Sequence, residues 1–242
     1  MDRSYWRTVS LVTLWQVAAS VCYYTVFAAT PFFRDAFGLS RFTVGLVVTA
    51  LTLGYAVWLL PVGASIDRFG EKRMLVIGLV GLSTGAVAVA GAPTYALLLV
   101  AVFFLGSTYA TAIPGTNKAV YDGIVAGRQN LAMGIKQVGV TAGSGSSALL
   151  VTGLAGVLFW QAGFLVAAAF GLVVALVFAL AYHRSDAGGA AEYPDFRALS
   201  RNRPYRVLVA AGVFLGAALF TTTGYTVLYV EESVGASVAF AG

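Results

Sequence analysis

Lys136 stands eight residues past Arg128, about 12 Å along a helix. Behind it, residues 137–183 contain no Asp, Glu, Lys or Arg. A lysine in such surroundings is costly unless it faces a wet cavity or its stem carries the ammonium out to an interface. The first arrangement would attract an anion, and the spacing is compatible with either. Gln137, Thr141 and Ser144 follow at i, i+4 and i+7, so their amide and hydroxyls share one helical face. Far upstream, Gln16, Ser20, Tyr23 and Phe27 repeat that pattern at i, i+4, i+7 and i+11. Polar stripes of this kind line a cavity or tie helices together through hydrogen bonds. Gln16, Tyr23, Lys136, Gln137 and Thr141 are therefore the candidate residues for a solute cavity.

Other chemistry finds little to work with. Cys22 is the single cysteine and His183 the single histidine, so neither an intrachain disulfide nor a His/Cys metal cluster is expected. No Asp or Glu falls within the long apolar runs, and no nucleophile there has a base beside it. A nucleotide-binding loop is also missing, so no cofactor and no enzymatic reaction are expected. A retinal-type photoreceptor would need a lysine in its last helix, and residues 207–230 have none.

The elements that must position these residues are membrane spans. The chain has 242 residues, 59% hydrophobic and 10% charged, far more apolar surface than a soluble domain can hide. Runs free of charge cover 8–33, 42–66, 74–117, 137–183 and 207–230. The third divides at Gly91-Ala92-Pro93 and the fourth near Gly153. Seven helices follow, at about 8–33, 42–64, 74–92, 94–116, 131–152, 161–183 and 206–230. With the N-terminus in the cytoplasm, all the Lys and Arg except Arg34 and Arg41 fall on the inner side. The net charge of +5 thus reflects topology and not nucleic-acid binding. A multi-pass protein of the cell (plasma) membrane is expected, its first span being too long for a signal-peptide core.

Between the second and third spans lies Gly63-Ala64-Ser65-Ile66-Asp67-Arg68-Phe69-Gly70-Glu71-Lys72-Arg73. Five charges of both signs in so short a connector exceed what topology alone requires. The spacing of Gly63, Asp67, Arg68, Gly70, Lys72 and Arg73 resembles the hairpin between the second and third helices of the major facilitator superfamily of transporters. Arg128, Ala132, Met133, Gly134, Ile135, Gln137 and Gly139 carry a second resemblance to the same family, at the entry to its fifth helix. Gly106 through Pro114 to Lys118 is similar to the glycine-rich end of its fourth, and Trp160 with Phe164 to the entry of its sixth. The departures are Glu71 for a basic residue, Val102 for an arginine, Ser144 for a proline and Gln161 for another arginine. The Val102 position excludes a charge relay built on that arginine, and Ser144 weakens any likeness to drug exporters.

The resemblance implies an all-α, membrane-embedded helical bundle that moves a small solute by alternating access. It also implies that the 63–73 hairpin is a gate, in which Asp67 locks against a helix of the second half. The expected organisation is a six-helix half at 1–183, a cytoplasmic loop at 184–205, and helix seven with the start of helix eight at 206–242. Lys136 and the lack of intramembrane acids point to an organic or inorganic anion as the solute. Residues 38–45 align with 235–242 at a constant offset of 197, which also pairs Thr25 with Thr222. Helix seven then reads as the start of a second repeat, in a complete carrier of roughly 400 residues. A truncated or split transporter, needing a second polypeptide for five further helices, is the expectation that follows. Among these, the partner of Asp67 is expected.

Overall fold

The computed structural model describes residues 3–155, 157–183, 196–230 and 233, all of the regular elements among them helical. The first expected span is two helices, α1 (Arg3–Ala28) and α2 (Thr30–Phe37). Pro31 sits at the start of α2, where its missing N–H leaves nothing unsatisfied. Gly38 ends α2 at φ 62°, a left-handed conformation suited to glycine. Ser40 then caps α3 (Arg41–Phe69), its hydroxyl accepting from the Thr43 N–H at 3.2 Å. Gly70, at φ 87°, makes the sharp reversal into α4 (Glu71–Ala90).

The fourth span is longer than the sequence suggested. It comprises α5 (Tyr95–Tyr109) and α6 (Ala112–Gly123), which together run past the expected end at 116. Pro114 has no N–H to give the Ala110 carbonyl, so the helix breaks at Ala110 and Thr111. A tighter bond from the Thr111 N–H to the Thr108 carbonyl, 3.2 Å, carries the chain through the break. A proline and a lysine that read as a helix end are therefore a kink within one crossing.

The remaining helices are α7 (Gln129–Ala155), α8 (Gln161–Ala181), the short α9 (Phe196–Arg201) and α10 (Arg203–Tyr229). Six stretches among the described residues are long and apolar enough to cross a membrane, with α5 and α6 counting as one. Helix α10 is a seventh long helix of 27 residues, beginning at Arg203 where 206 was expected. Residues 184–195 of the expected cytoplasmic loop and 234–242 of the expected eighth helix lie outside the described residues.

Helix α1 runs through the centre of the bundle, against α7 on one side and α4 and α8 on the other. Its Trp15, fully buried, donates its indole N–H to the Leu75 carbonyl at 3.0 Å. Glycines set the closest approaches, as lipid-embedded helices require. A Cβ on Gly54 would run into the Phe103 carbonyl, and one on Gly106 into the Leu51 carbonyl, so α3 and α5 cross backbone to backbone. The Gly139-x-x-x-Gly143 element does the same for α7 on α1: a Cβ would lie 3.0 Å from the Thr13 carbonyl or 2.6 Å from Ser20. Leu172, Leu176 and Leu180 of α8 are exposed, forming an apolar face suited to lipid. Helix α10 touches this body at α1, α2 and α3, where the Tyr225 hydroxyl donates to the Arg41 carbonyl at 3.4 Å.

Candidate functional site

Lys136 is 4% exposed, and its stem does not carry the ammonium to the surface. Because α7 is held tightly on α1 by Gly139 and Gly143, residue 136 one turn earlier is directed into the helix contact. Its Nζ donates to the Thr116 hydroxyl at 3.1 Å and to the Asn117 side-chain carbonyl at 2.6 Å. Both acceptors belong to α6, beyond the kink at Pro114, and both are neutral.

From Thr116 the network continues into α1. The Thr116 hydroxyl lies 3.4 Å from Gln16 Oε1, the Gln16 amide donates to the Ser20 hydroxyl at 3.4 Å, and Ser20 meets the Tyr109 hydroxyl at 3.4 Å. These contacts stand at the long edge of hydrogen bonding, in contrast to the short Lys136–Asn117 bond. Tyr23 stacks on Tyr109 with ring centroids 4.0 Å apart and planes 16° from parallel. Its hydroxyl is buried and has no hydrogen-bond partner. Tyr55 approaches the other side of Tyr109, at 5.8 Å between centroids.

Of the five residues that the sequence offered for a cavity, the structure thus brings Gln16 and Lys136 into one chain through Thr116, and Tyr23 to its far end. Gln137 and Thr141 are exposed and take no part in it. The polar stripe on α7 had been drawn through 137, 141 and 144, but Gly139 and Gly143 take the side facing α1, and Lys136 joins them. Thr116, Asn117 and Tyr109 were not singled out, although Gly106–Lys118 was read as a glycine-rich helix end. Hydroxyls and an amide after a mid-helix proline were the available signal.

Close by on the same helix α6, Lys118 gives Asp67 a partner in this part of the chain. Lys118 Nζ lies 3.4 Å from Asp67 Oδ1 and 3.3 Å from Asp122 Oδ2. The expectation that the partner of Asp67 is absent is corrected to that extent. Lys118, one helix face round from Thr116, links the gate-like hairpin to α6. Glu71, which stands in place of the family's basic residue, is buried in the first turn of α4, where the helix dipole favours a carboxylate. The Tyr182 hydroxyl donates to Glu71 Oε1 at 3.3 Å. Arg68 and Arg73 are exposed, Lys72 is half-buried, and a Cβ on Gly63 would meet nothing within 4 Å. Arg7 closes the same end, donating to the Ala181 carbonyl at 2.6 Å beside His183. No group of metal-binding side chains occurs among the described residues.

A bundle of lipid-suited helices with a buried polar chain at its centre and a charged hairpin at one end has the construction of a solute carrier. The chain belongs to the Major Facilitator Superfamily, whose family model matches residues 12–242. It is 28% identical over 151 residues to a hexuronate transporter of Bacillus subtilis (strain 168), covering 62% of this chain and 35% of that protein. It is 27% identical over 180 residues to the hexuronate transporter of Escherichia coli (strain K12), covering 73% and 41%. The fold is similar to a bacterial homolog of the human lysosomal transporter Spinster in an inward-facing, occupied conformation. The TM-score is 0.83 at 20% identity, over 100% of this chain and 57% of that one. The chain therefore spans well under two thirds of the length of these relatives. The family is one of membrane transporters, not of enzymes.

Proposed function

We propose that this chain forms the anion-binding half of a secondary transporter for a small organic anion, with sugar acids of the hexuronate type as the first candidates. Lys136 carries this reading: a buried ammonium held by two neutral oxygens has a full positive charge to offer and, among the described residues, no carboxylate against it. A charge so placed stabilises a bound anion far more than it would in water. The names of the relatives in Bacillus subtilis and Escherichia coli favour the same class of solute.

In this proposal the six helices up to 183 are one half of the carrier and α10 opens the other, with the N-terminus in the cytoplasm of a plasma-membrane protein. The hairpin with Gly63, Asp67, Arg68, Gly70, Lys72 and Arg73 is the cytoplasmic gate. Further helices, in the same polypeptide or a second one, supply the opposite cavity wall. The share of each relative that is matched, 35% to 57%, is the observation behind that last element.

The test is uptake of a radiolabelled hexuronate into proteoliposomes by the transporter. Lys136→Gln leaves a neutral amide on a shorter stem and removes the charge. Loss of a charge-assisted contact of about 1.5–3 kcal/mol corresponds to roughly ten- to hundredfold weaker uptake at low substrate. Uptake equal to the parent protein would remove Lys136 from the site.

A further inference from the structure

Resting on that reading of Lys136 as the anion site, we infer that its amine is also the proton carrier of the transport cycle. One anion and one proton are bound and released together at this single nitrogen.

The inference comes from counting donors against acceptors. An ammonium has three N–H donors and a neutral amine has two. The protein offers Lys136 two acceptors, Thr116 Oγ1 and Asn117 Oδ1. Both donors of the neutral amine therefore have acceptors in the protein, and its lone pair is left for the incoming proton. The ammonium has a third donor and a net charge left over, and an anionic ligand supplies what is missing for both.

Among the described residues, the surroundings hold no other answer for that charge. Three elements pack on α7: α1, α6 and α8. Helix α1 carries Arg3, Arg7, Cys22 and tyrosines; α6 carries Lys118, Tyr121 and Asp122; α8 carries no titratable side chain. Asp122 is the only carboxylate on these three helices, and it is paired with Lys118. The long uncharged runs of the sequence hold no Asp or Glu, the usual proton carriers within a membrane.

The cycle then balances simply. An anion binds beside the amine and a proton joins the nitrogen, so that the loaded site is a neutral ion pair. After the carrier opens to the other side, the anion leaves and the N–H bond breaks, releasing the proton with it. The empty carrier returns with a neutral amine held by Thr116 and Asn117. A charged, empty site would resist that return, because an uncompensated buried ammonium is strongly disfavoured. Net transport is one anion with one proton, without net charge.

Arginine at this position discriminates the two roles, since its guanidinium keeps its charge at any relevant pH. In proteoliposomes, Lys136→Arg is expected to lower net uptake driven by a pH gradient at least tenfold more than it lowers hexuronate exchange. Net, pH-driven uptake by Lys136→Arg would overturn the inference. If arginine abolishes exchange as well, the parent protein decides: one proton entering per anion, insensitive to membrane voltage, upholds it, and anion entry without proton movement overturns it. Undiminished uptake by Lys136→Gln would instead defeat the anion-site reading itself. Loss of uptake in Lys136→Gln, together with pH-driven uptake in Lys136→Arg, would leave the anion site standing and remove only the proton role.

Discussion

Lys118 Nζ lies 3.4 Å from Asp67 Oδ1 and so joins the end of α3 to the far end of the kinked fourth crossing. The pair is partly solvated, with the Asp67 side chain 46% exposed, and Asp122 competes for the same ammonium. Exposed pairs contribute at most about 1 kcal/mol and are screened by salt. Lys118→Ala is therefore expected to change unfolding in detergent only slightly. If the hairpin is a gate, the same substitution alters the rate of opening, read as a changed transport rate with unchanged substrate affinity. A large loss of stability would show that the pair is structural and not a latch.

The pair also illustrates what a sequence reveals and what it withholds. Asp67 stood out within the charged hairpin, and its partner was expected on a helix of the second half. Nothing in the spacing pointed to Lys118, 51 residues on, because the link depends on how far α6 continues beyond Pro114. The same kink hid the partners of Lys136. Local regularities were legible: the Gly139–Gly143 repeat and the Gln16–Ser20–Tyr23 face each need only helical geometry. Which face of α7 turned inward was not, since Gln137 and Lys136 are adjacent and only the packing on α1 separates them.

Glycines on α3 separate packing from gating. Gly54 meets the Phe103 carbonyl, a backbone atom that cannot step aside, so Gly54→Val is expected to lower stability by about 1–3 kcal/mol or prevent folding. Gly63 has open space at its Cβ position, and Gly63→Ala is expected to stay within about 0.5 kcal/mol of the parent. Denaturant titration of both variants checks the contrast. If Gly63 belongs to a gate that closes against further helices, Gly63→Ala nevertheless slows transport.

Tyr182→Phe tests the buried carboxylate at the start of α4. The substitution removes the hydroxyl that donates to Glu71 and leaves the ring stacked on Phe178, with centroids 4.5 Å apart. A destabilisation of about 1–3 kcal/mol is expected, because a buried carboxylate loses a donor that water cannot easily replace. Glu71→Gln alongside Tyr182→Phe should be less than additive if the two side chains act as a unit.

Thr116 is the hinge of the polar chain, accepting from Lys136 while lying 3.4 Å from Gln16 Oε1. Thr116→Val preserves shape and removes the oxygen, leaving Asn117 as the only acceptor among the described residues for the lysine nitrogen. Neither protonation state of Lys136 is then fully satisfied, and the neutral, empty state loses more because it has no bound anion to turn to. The expected result is anion exchange close to the parent, while net uptake falls several-fold as the empty return slows. Thr116→Ser restores the oxygen and should restore net uptake. Parallel measurement of exchange and net flux on the two variants is the check. Equal loss of both in Thr116→Val, with no rescue by serine, would assign Thr116 to helix packing alone.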